Sequence, residues 1–237
     1  GIYTFKNCDS YDGQWKNDKR EGQGTLIYSN GDKYIGEWKY DQISGDGIYS
    51  YKNGDRYDGQ WKNGLIHGKG TFSNSAGDVY IGEFKNNEMS GWGNYIYKNG
   101  DTYVGEWKND KRDGQGTLSY INGDKYIGKW TKDKRVGNGT INFVNGNTYD
   151  GEWKNDYIEG YGTFNDSNGD IYKGEWKNKK KEGQGNYTFK NGDSYEGEWK
   201  SNIKNGEGTF SYINGDKYQG QWKNDKRDGI GVINYAN

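Results

Sequence analysis

Asp32-Lys33-Tyr34-Ile35-Gly36-Glu37-Trp38 alternates one set of residues, Tyr34, Gly36 and Trp38, with another, Lys33, Ile35 and Glu37. A period of two is the mark of a strand whose two faces meet different surroundings. The motif Tyr-x-Gly-x-Trp does not occur once. It begins at Tyr11, Tyr34, Tyr57, Tyr80, Tyr103, Tyr126, Tyr149, Tyr172, Tyr195 and Tyr218. It ends at Trp15, Trp38, Trp61, Phe84, Trp107, Trp130, Trp153, Trp176, Trp199 and Trp222. Every step is 23 residues without insertion or deletion, and Phe84 is the one departure from Trp. A fixed short period means stacked repeats, each buried by its neighbours. These twenty rings are the expected repeat core.

Two further glycine motifs keep the same period. Gly-x-Gly runs from Gly22 and Gly24 to Gly229 and Gly231, and a glycine precedes the strand from Gly31 to Gly215. Together the three motifs hold 39 of the 41 glycines, so glycine here is positional. A second strand follows Gly-x-Gly, as in Gly116-Thr117-Leu118-Ser119-Tyr120, where Leu118 and Tyr120 share a face with Gly116. Asn122-Gly123 reads as a hairpin turn between repeats. The polar stretch Lys108 to Asp113 reads as a loop between the two strands of one repeat. No segment has helical periodicity. One face is therefore aromatic and the other largely polar. The glycine between Tyr and Trp leaves a slot in which an aromatic ring can lie flat.

Composition narrows the class. Only 29% of the 237 residues are hydrophobic, yet 17% are aromatic and none is proline. A disordered chain this polar would be poor in aromatics, so the aromatics do the burying. The formal net charge is −1, which gives no global pull toward nucleic acid or membrane. Cys8 is the single cysteine and has no intrachain partner; a reducing, cytoplasmic compartment fits. No apolar run approaches the ~18 residues of a membrane-spanning helix.

Tyr-x-Gly-x-Trp, about six polar residues, Gly-x-Gly and then Gly-Asp-x-Tyr, at a 23-residue period over the whole chain, resembles the MORN repeat (membrane occupation and recognition nexus). The resemblance implies an all-β fold: an elongated, twisted, single-layer antiparallel β-meander with two strands per repeat, one continuous rod over residues 1–237. It also implies scaffolding in cytoskeletal or membrane-associated complexes. In some relatives such arrays precede catalytic domains, which leaves open a regulatory region of a larger protein. Three residues depart from the pattern. Cys8 stands at a pre-strand glycine, Asn147 replaces the following Asp, and Lys129 interrupts a position held by Glu37, Gln60 and Glu83.

Catalysis finds no support. General acid–base or nucleophilic chemistry needs a fixed, partly enclosed constellation. The single histidine, His67, reads as an ordinary loop residue, and the carboxylates recur once per repeat as solvated positions. Gly-x-Gly is no dinucleotide fingerprint, because no helix follows it. No enzyme activity, cofactor or metal is expected. Cys8 and His67 lie about two and a half repeats apart and cannot share an ion within one straight chain.

Two surfaces remain as candidates. Lys19, Arg20, Lys111, Arg112, Lys134, Arg135, Lys179, Lys180, Lys181, Lys226 and Arg227 all follow the Trp and should line one long edge. Such a row could meet anionic phospholipid headgroups. Acidic neighbours such as Asp18, Asp110 and Asp225 moderate it, and a solvated edge that discourages aggregation explains it as well. The aromatic face is the second surface, since one open sheet cannot cover all its rings. Trp92, between Gly91 and Gly93, should face away from the glycines as an exposed contact. Nucleic acid is not expected. The first reading is a scaffold that binds protein partners, with homodimers expected from strand edges left open at Gly1 and Asn237. The alternative is a peripheral module for anionic phospholipid.

Overall fold

The computed structural model describes residues 2–236. Its described residues form strands and turns with no helix, in two compact units, 1–121 and 122–237. Each unit is a single-layer antiparallel meander in which strands adjacent in sequence pair side by side. After a short opening strand, Ile2–Thr4, strands of seven and nine residues alternate. Ser10–Lys16 with Lys19–Ile27 is the first such pair, and Lys217–Lys223 with Lys226–Asn234 the last.

Two turn types explain the alternation. Short strands pass to long ones through two residues of positive φ, as at Asn17 (50°) and Asp18 (59°). This is the tight turn that matches strand twist, and Asn and Asp tolerate its left-handed conformation. Long strands pass to short ones through a wider turn. Gly31 N–H donates to Tyr28 O (2.9 Å), Tyr28 N–H donates to Asp32 O (2.9 Å), and Gly31 takes φ of 96°. Asn-Gly therefore marks a hairpin as expected, but with the glycine as the bulge that closes a longer loop.

The polar stretch after each Trp is not a loop. The tight turn at Asn109 and Asp110 uses only two residues, so Lys111–Ser119 is already a strand. The same holds for His67, inside Leu65–Ser73. Of the basic residues expected on a loop edge, Lys179 alone is in a turn; Lys19, Arg20, Lys111, Arg112, Lys134, Arg135, Lys180, Lys181, Lys226 and Arg227 are on strands.

The long strands carry their extra residues as a bulge. Gly13 pairs with Gly24 and Trp15 with Arg20, so Gln14 alone faces three residues. The Gln14 side chain plugs the gap, its Oε1 accepting from Gln23 N–H at 3.1 Å. Glu106, Glu152 and Glu175 do the same for Gln115, Tyr161 and Gln184. Lys129 has no acceptor to offer, and there Lys129 pairs directly with Val136. Asn147, by contrast, keeps the role of the Asp it replaces: its Oδ1 accepts from Ser167 N–H at 2.8 Å. Cys8 adopts the glycine-like φ of 67°.

The core is a row of rings. Tyr34 lies over the cross-strand pair Gly36 and Gly47, and a Cβ on Gly47 would stand 2.6 Å from Tyr34 Cζ. The slot foreseen for a neighbouring ring is thus occupied by the tyrosine two residues earlier on the same strand. Its hydroxyl donates to Glu37 O at 3.0 Å. The tyrosine is wedged edge-to-face between its own Trp and that of the next repeat, as Tyr34 is between Trp38 (5.4 Å) and Trp61 (5.6 Å). Such ring pairs add about 0.5–1.5 kcal/mol beyond area burial.

The wedge recurs toward the end of the first unit and the start of the second. Trp107 lies edge-to-face with Tyr80 (5.4 Å) and Tyr103 (5.2 Å), and its Nε1 donates to Gly93 O at 3.4 Å. Trp130 meets Tyr126 at 5.3 Å and is the most buried of the motif tryptophans. One of the twenty motif rings departs from the expected core. Trp15 is 41% exposed, because only the short strand Ile2–Thr4 flanks it, with Tyr3 at 5.8 Å. The other nineteen are buried, Trp107 and Trp130 among them.

Candidate functional site

Beside each wedge is a seat. The residue five positions after the motif Trp points onto the aromatic face and, within a unit, packs against the repeat that follows, as Arg20 does on Trp38. In chain order the seats hold Arg20, Ile43, Ile66, Met89, Arg112, Arg135, Ile158, Lys181, Lys204 and Arg227. The bulge sets this placement, because it returns Arg20 to the face of its pairing partner Trp15.

Three neutral occupants in a row open a groove in the first unit. Ile43, Ile66 and Met89 form its floor with Tyr49, Tyr51 and Tyr95 along its side, around a space of about 660 Å³. Tyr49 and Tyr51 rings stand 4.5 Å apart, as do those of Tyr95 and Tyr97. The rim is polar where Tyr49 and Tyr95 hydroxyls donate to Asp32 and Asp78 Oδ2, at 3.0 and 3.2 Å. Burial, then the nearby Asp78 carboxylate, pushes the Tyr95 phenol up to about 12. The hydroxyl therefore stays protonated and serves as a donor.

Cationic seats differ. The Arg20 guanidinium lies 4.1 Å from the Trp38 ring centre and reaches Asp41, with Nε on Oδ1 at 3.3 Å and Nη2 on the backbone O at 2.9 Å. Arg135 repeats this with Trp153 at 4.5 Å and Asp156 at 3.1 and 3.3 Å. Arg112 is half-buried over the Tyr103 ring at 5.6 Å. Lys181 sits among Tyr187 (4.2 Å), Trp199 (4.9 Å) and Tyr172 (5.1 Å). Arg227, on an exposed strand, covers Tyr218 at 4.5 Å and bonds the Tyr212 hydroxyl.

The basic set thus separates into two. Arg20, Arg112, Arg135, Lys181 and the exposed Arg227 are seated on rings, while Lys19, Lys111, Lys134, Lys179, Lys180 and Lys226 are exposed. Trp92 is 54% exposed and opposes Glu106 on the face away from the rings. Exposed Ile81 and Val104 lie on strands to either side of it.

Sequence reasoning missed two features. The first is the seat itself; reading the column five residues after each Trp, which switches between Ile or Met and Arg or Lys, would have found it. The second is a pair of carboxylate staples between repeats. Asp32 Oδ1 accepts from Lys52 N–H at 2.8 Å, and Asp55 and Asp78 do the same for Ser75 and Lys98. Asp41 and Asp110 staple Arg20 and Met89 N–H, each at 2.8 Å. Donation from the backbone holds the Asp9, Asp32, Asp41 and Asp55 carboxyls below the usual range; for Asp78 the Asn74 side chain leads, and for Asp170 the Tyr187 hydroxyl. These carboxylates are structural acceptors rather than merely solvated positions. Among the described residues, no group of three or more His, Cys, Asp or Glu could hold a metal ion.

The MORN repeat family matches the chain in ten consecutive segments, 11–33, 34–56, 57–79, 80–102, 103–125, 126–148, 149–171, 172–194, 195–217 and 218–237. No curated protein matches. Among solved structures, the SAS-4 TCP domain of Drosophila melanogaster, in complex with a proline-rich motif of Ana2, is 15% identical with a TM-score of 0.39, covering 73% of this chain and 86% of its own. The TCP10 domain of Danio rerio CPAP is 10% identical with a TM-score of 0.31, covering 91% and 95%. Virginiamycin B lyase of Staphylococcus aureus is 10% identical with a TM-score of 0.16, covering 99% and 83%. Likenesses at this level carry no argument about fold or function.

Proposed function

We propose that this chain, which belongs to the MORN repeat family, is a non-catalytic scaffold that seats protein partners on the aromatic face of its first unit. The family is one of protein-interaction or membrane-associated repeat modules. The observation that carries the reading is the groove floored by Ile43, Ile66 and Met89. It is apolar in its depth and lined above by tyrosines, which offer large, rigid contact area at little entropic cost. Repeats two strands wide, about 9.6 Å apart, suit an extended polyproline II segment with an apolar side chain at every third residue, since three such residues rise about 9.3 Å and bring the same face round.

Peptide display against the purified chain, followed by calorimetric titration, tests this. Selected peptides should carry that three-residue spacing and lose binding when Ile66 becomes Lys. Peptides that bind Ile66→Lys equally well would sink the reading.

A second reading has its own support in the exposed Lys19, Lys111, Lys134, Lys179, Lys180 and Lys226. Each cation near an anionic surface contributes about 1 kcal/mol, so the exposed six could hold a peripheral module to anionic phospholipid. Co-sedimentation with phosphoinositide vesicles at about 150 mM salt, where charges are screened beyond roughly 8 Å, separates the two readings. Retention that disappears on charge reversal at Lys179 and Lys180 would favour lipid. Cytoplasmic placement at the cytoskeleton or a membrane, and pairing into homodimers, belong to the same proposal. Light scattering that shows a monomer at every concentration would remove the dimer.

A further inference from the structure

Four cationic seats have a next-repeat staple residue within their own unit, and Lys181 alone faces a neutral one. The residue 21 positions on is Asp41 for Arg20, Asp156 for Arg135 and Asp225 for Lys204, but Asn202 for Lys181. Asn202 Oδ1 already accepts from the Lys181 backbone N–H at 2.8 Å. Among the described residues no hydrogen bond or ion pair ends on Lys181 Nζ; three aromatic rings surround it at 4.2–5.1 Å. Rings attract a cation but accept none of the strong hydrogen bonds that an ammonium's three donors lose on leaving water. Four other seats hold neutral Ile43, Ile66, Met89 and Ile158, so the seat itself accommodates an uncharged side chain.

We propose that Lys181 is an acceptor site for acyl groups, taking them from acyl thioesters to become a neutral amide in its aromatic seat. The free amine attacks the thioester carbonyl carbon. A C–N bond forms, the C–S bond breaks, and the thiolate leaves as thiol with the proton that nitrogen sheds. The product carries no charge, so the acylated seat matches the four apolar ones. The side chain is half-buried rather than sealed, which leaves the amine reachable.

Electrostatics supports the geometry. Burial brings the Lys181 ammonium down from 10.5 to about 8, against the opposing pull of Asp170, Asp225 and Asp166. The other titratable neighbours are Tyr172 and Tyr187, both held protonated by burial, and Lys204 in the next seat, itself lowered by burial. An amine titrating near 8 is about half neutral at pH 8, against roughly 0.3% for an ordinary lysine. Its lower basicity and partial cover take back about a factor of ten of that advantage.

The test incubates the full chain with acetyl-coenzyme A at pH 8 and reads occupancy at each lysine by peptide mass spectrometry. Lys180, adjacent and exposed, is the internal reference. Lys181 should be acetylated about tenfold faster than Lys180, and the preference should vanish in denaturant. Asn202→Asp restores the carboxylate of the other seats at a position where Asp41 already adopts the same positive φ (68° against 73°), so the variant should fold. It should slow Lys181 to the rate of Lys180 or below. Lys181 no faster than Lys180 in the native chain, or Lys181 unaffected by Asn202→Asp, overturns the proposal.

Discussion

The run of three neutral seats in the first unit and the two adjacent lysine seats of the second share a backbone and differ in what fills them. Ile43, Ile66 and Met89 floor an apolar groove, whereas Lys181 and Lys204 bring ammoniums among equivalent rings, Lys204 lying 4.9 Å from Trp222. The wedge beneath is the same in both: Tyr34 between Trp38 and Trp61, Tyr172 between Trp176 and Trp199 at 5.1 and 5.4 Å. A repeat can therefore hold its fold in one set of columns and vary its chemistry in another. Core rings and paired glycines carry stability, while the seat and its staple partner decide what the face can bind.

That division predicts the largest effect in the invariant columns. A Cβ on Gly47 would press on Tyr34, and one on Gly185 would stand 2.5 Å from the Tyr172 ring. Neither ring can withdraw, being wedged on both sides. Gly47→Ala and Gly185→Ala should each cost about 3 kcal/mol, in the upper range of overpacking, measured by thermal or urea unfolding. A large cost in one unit and none in the other would break the claim that both rest on the same wedge.

Next comes conversion of one seat type into the other. Ile66 is 6% exposed and its staple partner is Asn87, whose Oδ1 accepts from Ile66 N–H at 2.8 Å. Ile66→Lys recreates the Lys181 and Asn202 pair inside the apolar groove. It should cost about 2 kcal/mol, from lost burial and an unpaired cation. Adding Asn87→Asp should recover part of this. A double-mutant cycle with no coupling between the two positions would show that seat and staple act separately.

The reverse exchange should stabilise. Lys181→Met copies Met89 and removes a half-buried cation without a carboxylate partner. Solvent screening reduces the penalty, leaving a gain of about 1 kcal/mol at pH 7. Its sign against pH follows from the lowered value near 8. Below pH 8 the lysine is charged in both folded and unfolded chains, and the burial cost is complete. Between about 8 and 10.5 the folded chain releases the proton while the unfolded chain keeps it, so native stability rises. The advantage of Lys181→Met should be full at pH 7 and gone above about 10.5; an advantage independent of pH would assign it to packing alone.

The wedge was legible because its motif repeats ten times in phase. Tyr, Gly and Trp at fixed spacing announce strand, slot and stack before any contact is seen. The seats were not, because Arg20 and Ile43 share no chemistry and the stretch around Arg20, Lys16 to Glu21, reads as solvent-exposed polarity. Only the bulge at Gln14, plugged by its own side chain, turns that stretch into strand and brings its second residue onto the rings. Nor could spacing show which carboxylates are staples. Asp32 accepts a backbone N–H 20 residues away, and that pairing exists only once two repeats are stacked.

The smallest effect belongs to those staples. Hydrogen bonds to the ionised form hold Asp9, Asp32, Asp55, Asp78 and Asp170 below the ordinary carboxylate value. Each therefore contributes stability that is present above about pH 4 and lost as pH falls through its lowered folded value. The chain already contains a control: Asn147 accepts from Ser167 N–H at 2.8 Å with nothing to titrate. Asp32→Asn should follow it, changing stability at pH 7 by a few tenths of a kcal/mol, within the range of an exposed substitution. The midpoint of acid unfolding should move slightly downward, because one proton fewer is taken up on unfolding. A larger loss at pH 7 would mean that the carboxylate charge itself, and not the acceptor oxygen shared with Asn147, fastens one repeat to the next.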